Sequence, residues 1–171
     1  MTVLNTERLT LRRFTTDDAQ FVLTLLNEPS FLRYIGDKKV RSLEDARQYI
    51  VNGPIASYDR NDFGLFVVEL RESRAPIGIC GLLRREELPA PDIGFAFVPA
   101  ARGKGFAFEA ATAVLQDARD RLRLQRIVAI TSLDNEASIQ LLQRLAFTFE
   151  RVVRLAQDGE QLNLFTRDFA D

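Results

Sequence analysis

The chain has 171 residues, 46% of them hydrophobic, and its 23 basic and 24 acidic residues leave a net charge of −1. That is one domain's length with apolar residues enough for a sizeable core, and the balanced charge leaves no broad basic surface for nucleic acid. The absence of histidine and the single cysteine, Cys80, exclude histidine triads, a histidine general base, an internal disulfide and the usual zinc ligand sets.

Residues 8–14 are predicted to form a strand with Leu9 and Leu11 on one face. Thr16-Asp17-Asp18 marks a helix start, and Ala19, Val22, Leu23 and Leu26 keep helical spacing up to Asn27-Glu28-Pro29. Ser42-x-x-Asp45 has the form of a capping box opening a second helix, which Gly53-Pro54 kinks or ends. Residues 63–70 and 76–84 read as adjacent strands turning at Glu72-Ser73-Arg74-Ala75, with Cys80 a buried, inert thiol in the second. A strand over 92–98 leads through a glycine-bearing turn into a helix over 105–122, whose apolar face is Phe106, Ala110, Ala111, Val114, Leu115, Ala118 and Leu122. A strand over 126–131, a helix over 135–145 and strands over 148–155 and 160–168, turning at Asp158-Gly159, complete the chain. The order is mixed α+β in a single domain, 1–171, with a central βαβ crossover. No apolar run reaches membrane-spanning length and no basic-then-apolar leader opens the chain, which predicts a cytoplasmic protein with no membrane partner.

The turn inside that crossover, Val98-Pro99-Ala100-Ala101-Arg102-Gly103-Lys104-Gly105-Phe106-Ala107, carries the functional signal. Gly103 and Gly105 permit close backbone approach and positive φ. The helix that follows leaves its first N–H groups unpaired, and Arg102 and Lys104 add charge. Together these make a pyrophosphate cradle. A nucleotide P-loop is a poor match because Lys104 is followed by Gly105, with no hydroxyl for magnesium. A dinucleotide fold is a poor match because the next strand, 126–131, ends without an acid.

Arg102-x-x-Gly105-x-Ala107 resembles the acetyl-CoA pyrophosphate motif of the GNAT acyltransferase superfamily. Thr6-Glu7-Arg8-Leu9-Thr10-Leu11-Arg12, Asn27-Glu28-Pro29 with Arg33-Tyr34-Ile35-Gly36, Asp92-Ile93-Gly94-Phe95, and Asn135-x-x-Ser138 followed by Arg144-Leu145-Ala146-Phe147 resemble, in the same order, landmarks of its ribosomal-protein N-terminal acetyltransferase branch. The resemblance implies a central twisted mixed sheet of six to seven strands flanked by about four helices. It implies acetyl-CoA as co-substrate, no metal, and direct acetyl transfer to a primary amine, either a peptide N-terminus or a small molecule, by a monomer or homodimer. An alternative is a non-catalytic acyl-CoA-binding regulatory module.

By the same resemblance, two splayed strands expose a backbone N–H near Phe97 or Val98 to the thioester carbonyl. The cofactor lies against Arg102, Gly103, Lys104, Gly105, Phe106 and Ala107. Asn135 holds the pantetheine arm and Ser138 protonates the leaving thiolate, though both residues also suit simple helix capping. Asp92 is the first candidate base and Glu150 the second, each against the plainer reading of a solvated strand residue. Arg33 and Tyr34 line the acceptor side or form an amphipathic surface pair. Glu109 offsets the helix dipole and orders the loop. Freeing a lysine amine at pH 7 costs roughly 4–5 kcal/mol and an α-amine about 1 kcal/mol, so a chain without histidine suits the α-amine, or a carboxylate acting through a water. Four features depart from the family pattern: no tyrosine follows the cofactor loop, Ala146 replaces a helix-ending glycine, Phe108 replaces a small polar residue, and the C-terminal hairpin is short, with Gln157-Asp158 where an acid aligned with catalysis is expected.

Overall fold

The computed structural model describes residues 3–169; residues 1, 2, 170 and 171, which the single-domain expectation includes, lie outside them. In chain order the elements are β1 (Val3–Asn5), β2 (Leu9–Arg13), α1 (Ala19–Leu26), α2 (Pro29–Tyr34), α3 (Leu43–Ile50), α4 (Ala56–Asn61), β3 (Leu65–Leu70), β4 (Pro76–Leu83), β5 (Asp92–Phe97), α5 (Phe106–Asp120), β6 (Arg126–Ser132), α6 (Glu136–Arg144), β7 (Thr148–Val153) and β8 (Leu162–Asp168). One eight-stranded sheet runs β1-β2-β3-β4-β5-β6-β8-β7. Its pairs are antiparallel except β5 with β6, which the α5 crossover joins in parallel.

The sheet is covered on both faces, and alternation along β3 shows how. Phe66 and Val68 pack with Ala110, Ala111, Val114 and Leu115 of α5. Leu65 and Val67, on the opposite face, pack with Val22 and Leu25 of α1 and Ala46 and Ile50 of α3. The apolar stripe expected on the crossover helix is therefore the buried one, with Ala110, Ala111 and Ala118 fully enclosed. Cys80 is enclosed as well, and burial pushes its thiol pKa well above the ordinary value. Among the described residues, no helix is long and apolar enough to cross a membrane.

The mixed fold class holds, with more elements than expected. The eighth strand is β1, three residues long, paired with β2 from Val3↔Arg12 to Asn5↔Thr10. Helix α2 is six residues with Pro29 in its first turn, and the Glu28 carboxylate caps it by accepting from the N–H groups of Ser30 (3.1 Å) and Phe31 (3.3 Å). Gly53-Pro54 does not end the helical path between α3 and α4: residues Val51–Ile55 widen into a π-helical turn before α4 resumes. The missing Pro54 N–H and the ring's clash with the preceding turn favour that widening. The predicted capping box at Ser42 is half formed. Its hydroxyl accepts from Asp45 N–H at 3.0 Å, but the Asp45 carboxylate accepts from Arg41 N–H instead of turning back to Ser42.

Candidate active site

The site begins with a break in the sheet. β5 and β6 meet in register only at Asp92↔Val128, where Val128 N–H donates to Pro91 O at 3.0 Å. Beyond that point they diverge. On its other side β5 pairs with β4 along its whole length, from Leu83↔Asp92 to Gly78↔Phe97. Val98 N–H donates to Ile77 O at 2.9 Å, and antiparallel alternation then turns the N–H and C=O groups of Phe95 and Phe97 toward the gap. Of the two donors expected from sequence, Val98 is therefore occupied by β4 and Phe97 faces the opening. A cavity of about 670 Å³ fills the divergence, with Asp92–Phe97 on one bank and Ala129–Ser132 on the other.

The glycine cradle closes one end of this cavity. After a 3₁₀ turn at Pro99–Ala101, Gly103 and Gly105 take φ of +75° and +82°. A Cβ on Gly103 would meet nothing within 4 Å, so the turn presents open space. Gly105 is the N-cap of α5 without a side-chain cap, and the first helical bond is Glu109 N–H to Gly105 O at 3.1 Å. The N–H groups of Phe106, Ala107 and Phe108 precede it and stand free to receive an anion.

The charges at the loop serve other ends than expected. Arg102 donates to Glu28 Oε2 (2.9 Å), Ser30 Oγ (2.6 Å) and Phe97 O (2.9 Å), tying the loop to the start of α2. Burial disfavours the Glu28 carboxylate, but hydrogen bonds from Ser30 and Arg102 outweigh it and hold its pKa below the usual value. Lys104 does not line the cavity; its carbonyl accepts from Arg8 Nη1 at 3.0 Å. Arg8, unnoticed as a site residue in the sequence, lies 4.3 Å over the Phe106 ring and pairs with Glu109 (Nε–Oε1 2.7 Å). Glu109 also accepts from Arg8 N–H and Thr6 Oγ1, so it anchors the cradle to the start of β2, the ordering role expected of it.

At the opposite end stands Asp92, 1% exposed. Burial pushes its pKa up to about 6, with the Arg85 charge opposing. Arg85 Nε is 3.4 Å from Asp92 Oδ1, an ion-pair distance too poorly aligned for a hydrogen bond, and that oxygen has no hydrogen-bond partner. The plain alternative, a solvated strand residue, is thus removed for Asp92. Arg85, Lys38 and Tyr49 line the same end and were not singled out in the sequence; no local motif marks them, because they converge from α3 and two loops. Burial raises the Tyr49 pKa, with Arg85 opposing. The Lys38 pKa is lowered, first by the protein packed around it and then by the Arg85 charge, although by area the residue is exposed and the crowding is partial.

The remaining candidates divide. Ser138 and Asn135 both line the cavity, and Asn135 Oδ1 caps α6 by accepting from Ser138 N–H at 3.3 Å, which leaves the Ser138 hydroxyl uncommitted among the described residues. Tyr34 lines the cavity while Arg33 does not: it lies over the Tyr34 ring at 4.8 Å and reaches Asp134 at 3.3 Å, an exposed pair. Glu150 stands apart from the others. It lies on the edge strand β7, accepts from Thr166 Oγ1 at 3.2 Å, pairs with its neighbour Arg151, and is not on the cavity wall.

Comparison with known proteins accords with this architecture. Residues 8–148 match the family model described as an acetyltransferase (GNAT) domain. The chain is 32% identical over 154 residues to the uncharacterized N-acetyltransferase YoaA of Bacillus subtilis (strain 168), covering 89% of this chain and 86% of YoaA. Among solved structures, the acetyltransferase from Agrobacterium tumefaciens str. C58 superposes with a TM-score of 0.84 at 24% identity, over 99% of this chain and 95% of that one. RimL, a ribosomal L7/L12 α-N-protein acetyltransferase in complex with coenzyme A, superposes with a TM-score of 0.85 at 19% identity, over 98% of both chains. At these identities the structural likenesses establish the shared fold.

Proposed function

The chain belongs to the GNAT acetyltransferase family, and from that premise we propose that it moves an acetyl group from acetyl-CoA directly to a primary amine inside the β5–β6 cavity. The observation that carries the reading is the pairing of two ends in one opening: free helix N–H groups and glycines at one, a buried carboxylate with an oxygen that accepts no hydrogen bond at the other. The cradle residues Gly103, Gly105, Phe106 and Ala107 hold the pyrophosphate through backbone N–H groups, whereas Arg102 serves by fixing the loop. Acetyl-CoA supplies the activated acyl group when bound.

Each step then falls to a named group. Asp92 takes the ammonium proton of the acceptor, a transfer uphill by about two pKa units from an α-amine, or roughly 3 kcal/mol. The N–C bond forms as the C–S bond breaks, with the Phe97 N–H facing the carbonyl oxygen as its charge grows. The Ser138 hydroxyl gives a proton to the departing thiolate and is restored by the second proton that the nitrogen sheds as the amide forms. Cys80, enclosed in the sheet, takes no part as a nucleophile, which supports direct transfer.

The test is calorimetric titration with acetyl-CoA, followed by free-thiol release against α-amine peptides and small amines. Binding with release supports the reading. Absence of binding would overturn the cradle, and binding without release across the panel would leave an acyl-CoA-binding module.

A further inference from the structure

The charges on the cavity wall are unequal, and the inequality bears on the acceptor. Glu28, Lys38, Arg85, Asp92, Arg102 and Arg144 are the ionised side chains that line it. Glu28 and Arg102 satisfy each other at 2.9 Å. Arg144 lies 4.5 Å over the Phe108 ring, beside the cradle. What remains around Asp92 is two cations, Arg85 and Lys38, against one carboxylate. Neither cation donates a hydrogen bond among the described residues, and the ion pair that Arg85 makes is long, at 3.4 Å through Nε alone. The fork of its guanidinium is left unspent.

We propose that the amine acetylated here carries an anionic group, a carboxylate or phosphate close to the amine, which Arg85 and Lys38 bind while Asp92 receives the ammonium. The proposal rests on the acetyl-transfer reading above. A guanidinium offers planar paired donors that match a carboxylate or phosphate. A polycationic acceptor would bring like charge against both residues. A neutral acceptor would cover two cations without pairing them, at a desolvation cost. Leu25, Phe31, Ile79 and Leu83 are on the wall of the same cavity, Leu83 paired directly with Asp92, and suit a short aliphatic remainder. The same chemistry is offered by a free amino acid, a phosphorylated amine and a peptide N-terminus followed by an acidic residue.

Protein saturated with coenzyme A, the thiol product, permits acceptor binding to be measured by calorimetry without turnover. Matched pairs are titrated: leucine against leucinamide, O-phosphoethanolamine against ethanolamine, and tetrapeptides beginning Ser-Glu against Ser-Gln. The anionic member of at least one pair is expected to bind about tenfold tighter or more, and the pair that discriminates identifies the source. Lys38→Ala should remove most of that preference and Lys38→Glu should reverse it, with coenzyme A affinity unchanged as the control for folding. Equal or better binding of the neutral member in every pair, or no binding by any member, overturns the proposal. That result leaves acetyl transfer standing on its own test, whereas failure to bind coenzyme A removes both.

Discussion

Asp92 is asked to do two incompatible things, to be buried and to be charged. Its folded pKa of about 6 lies above the roughly 3.9 of an unfolded aspartate, so it is the ionised form that folding disfavours. Stability therefore falls as pH rises from about 4 to about 6 and levels off above, by a total of roughly 2–3 kcal/mol. Asp92→Asn should raise the melting temperature at pH 7 and leave it unchanged below pH 4. The same change should slow thiol release by about 100-fold or more and abolish the acid limb of the rate profile near pH 6. A thermal melt and a pH–rate series on one variant read both effects, and a wild-type rate would strip Asp92 of its role. Ser138 allows a cleaner separation. The cap on α6 uses the Ser138 N–H, not its hydroxyl, so Ser138→Ala keeps the helix end. It should lower kcat about 10- to 100-fold with acetyl-CoA affinity little changed, and an unaltered kcat would return the hydroxyl to solvent.

At the scale of elements, the end of α6 shows a sequence departure with a physical cost. Ala146 has φ +68°, the left-handed region. Its N–H donates to Gln143 O at 3.0 Å and Phe147 N–H donates to Leu142 O at 2.9 Å, the paired bonds of a Schellman ending, with Phe147 and Leu142 both in the core. The ending is kept although its usual glycine is absent. Ala146→Gly should therefore stabilise the protein by about 1 kcal/mol, measured by denaturant midpoint with unchanged slope. The cradle gives the opposite case: Gly105→Glu adds charge and bulk at φ +82°, where the α5 N–H groups converge, and should abolish acetyl-CoA binding in calorimetry while the fold survives a melt. The long periodic elements were legible in the sequence because their patterns are local, as the apolar face of α5 was. Helix α2 was not, since six residues hold too little periodicity and its cap is a glutamate that at the same time binds Arg102. Arg8, Arg85 and Lys38 were not, because their significance lies in partners or cavity walls supplied by distant segments, Glu109 being 101 residues from Arg8.

Across the whole molecule, the chain order of elements was readable but their order in the sheet was not. β8 inserts between β6 and β7, pairing with β6 from Arg126↔Asp168 to Ser132↔Leu162, and no turn signal encodes that long return. The enclosed Cys80 offers a reporter for this packed whole. Its alkylation should proceed only through global opening, so the labelling rate should follow unfolding free energy across denaturant and fall when acetyl-CoA saturates the cavity. Rapid labelling under native conditions would contradict the enclosure of the β3–β4 region. The divergence of β5 from β6 has a consequence for heredity. The donor at Phe97 belongs to the main chain, so nearly every missense change at that codon passes the donor on intact. Only a change to proline deletes it. A lineage can thus reshape the wall of the cavity at this position while the main-chain N–H that faces the opening is inherited unaltered.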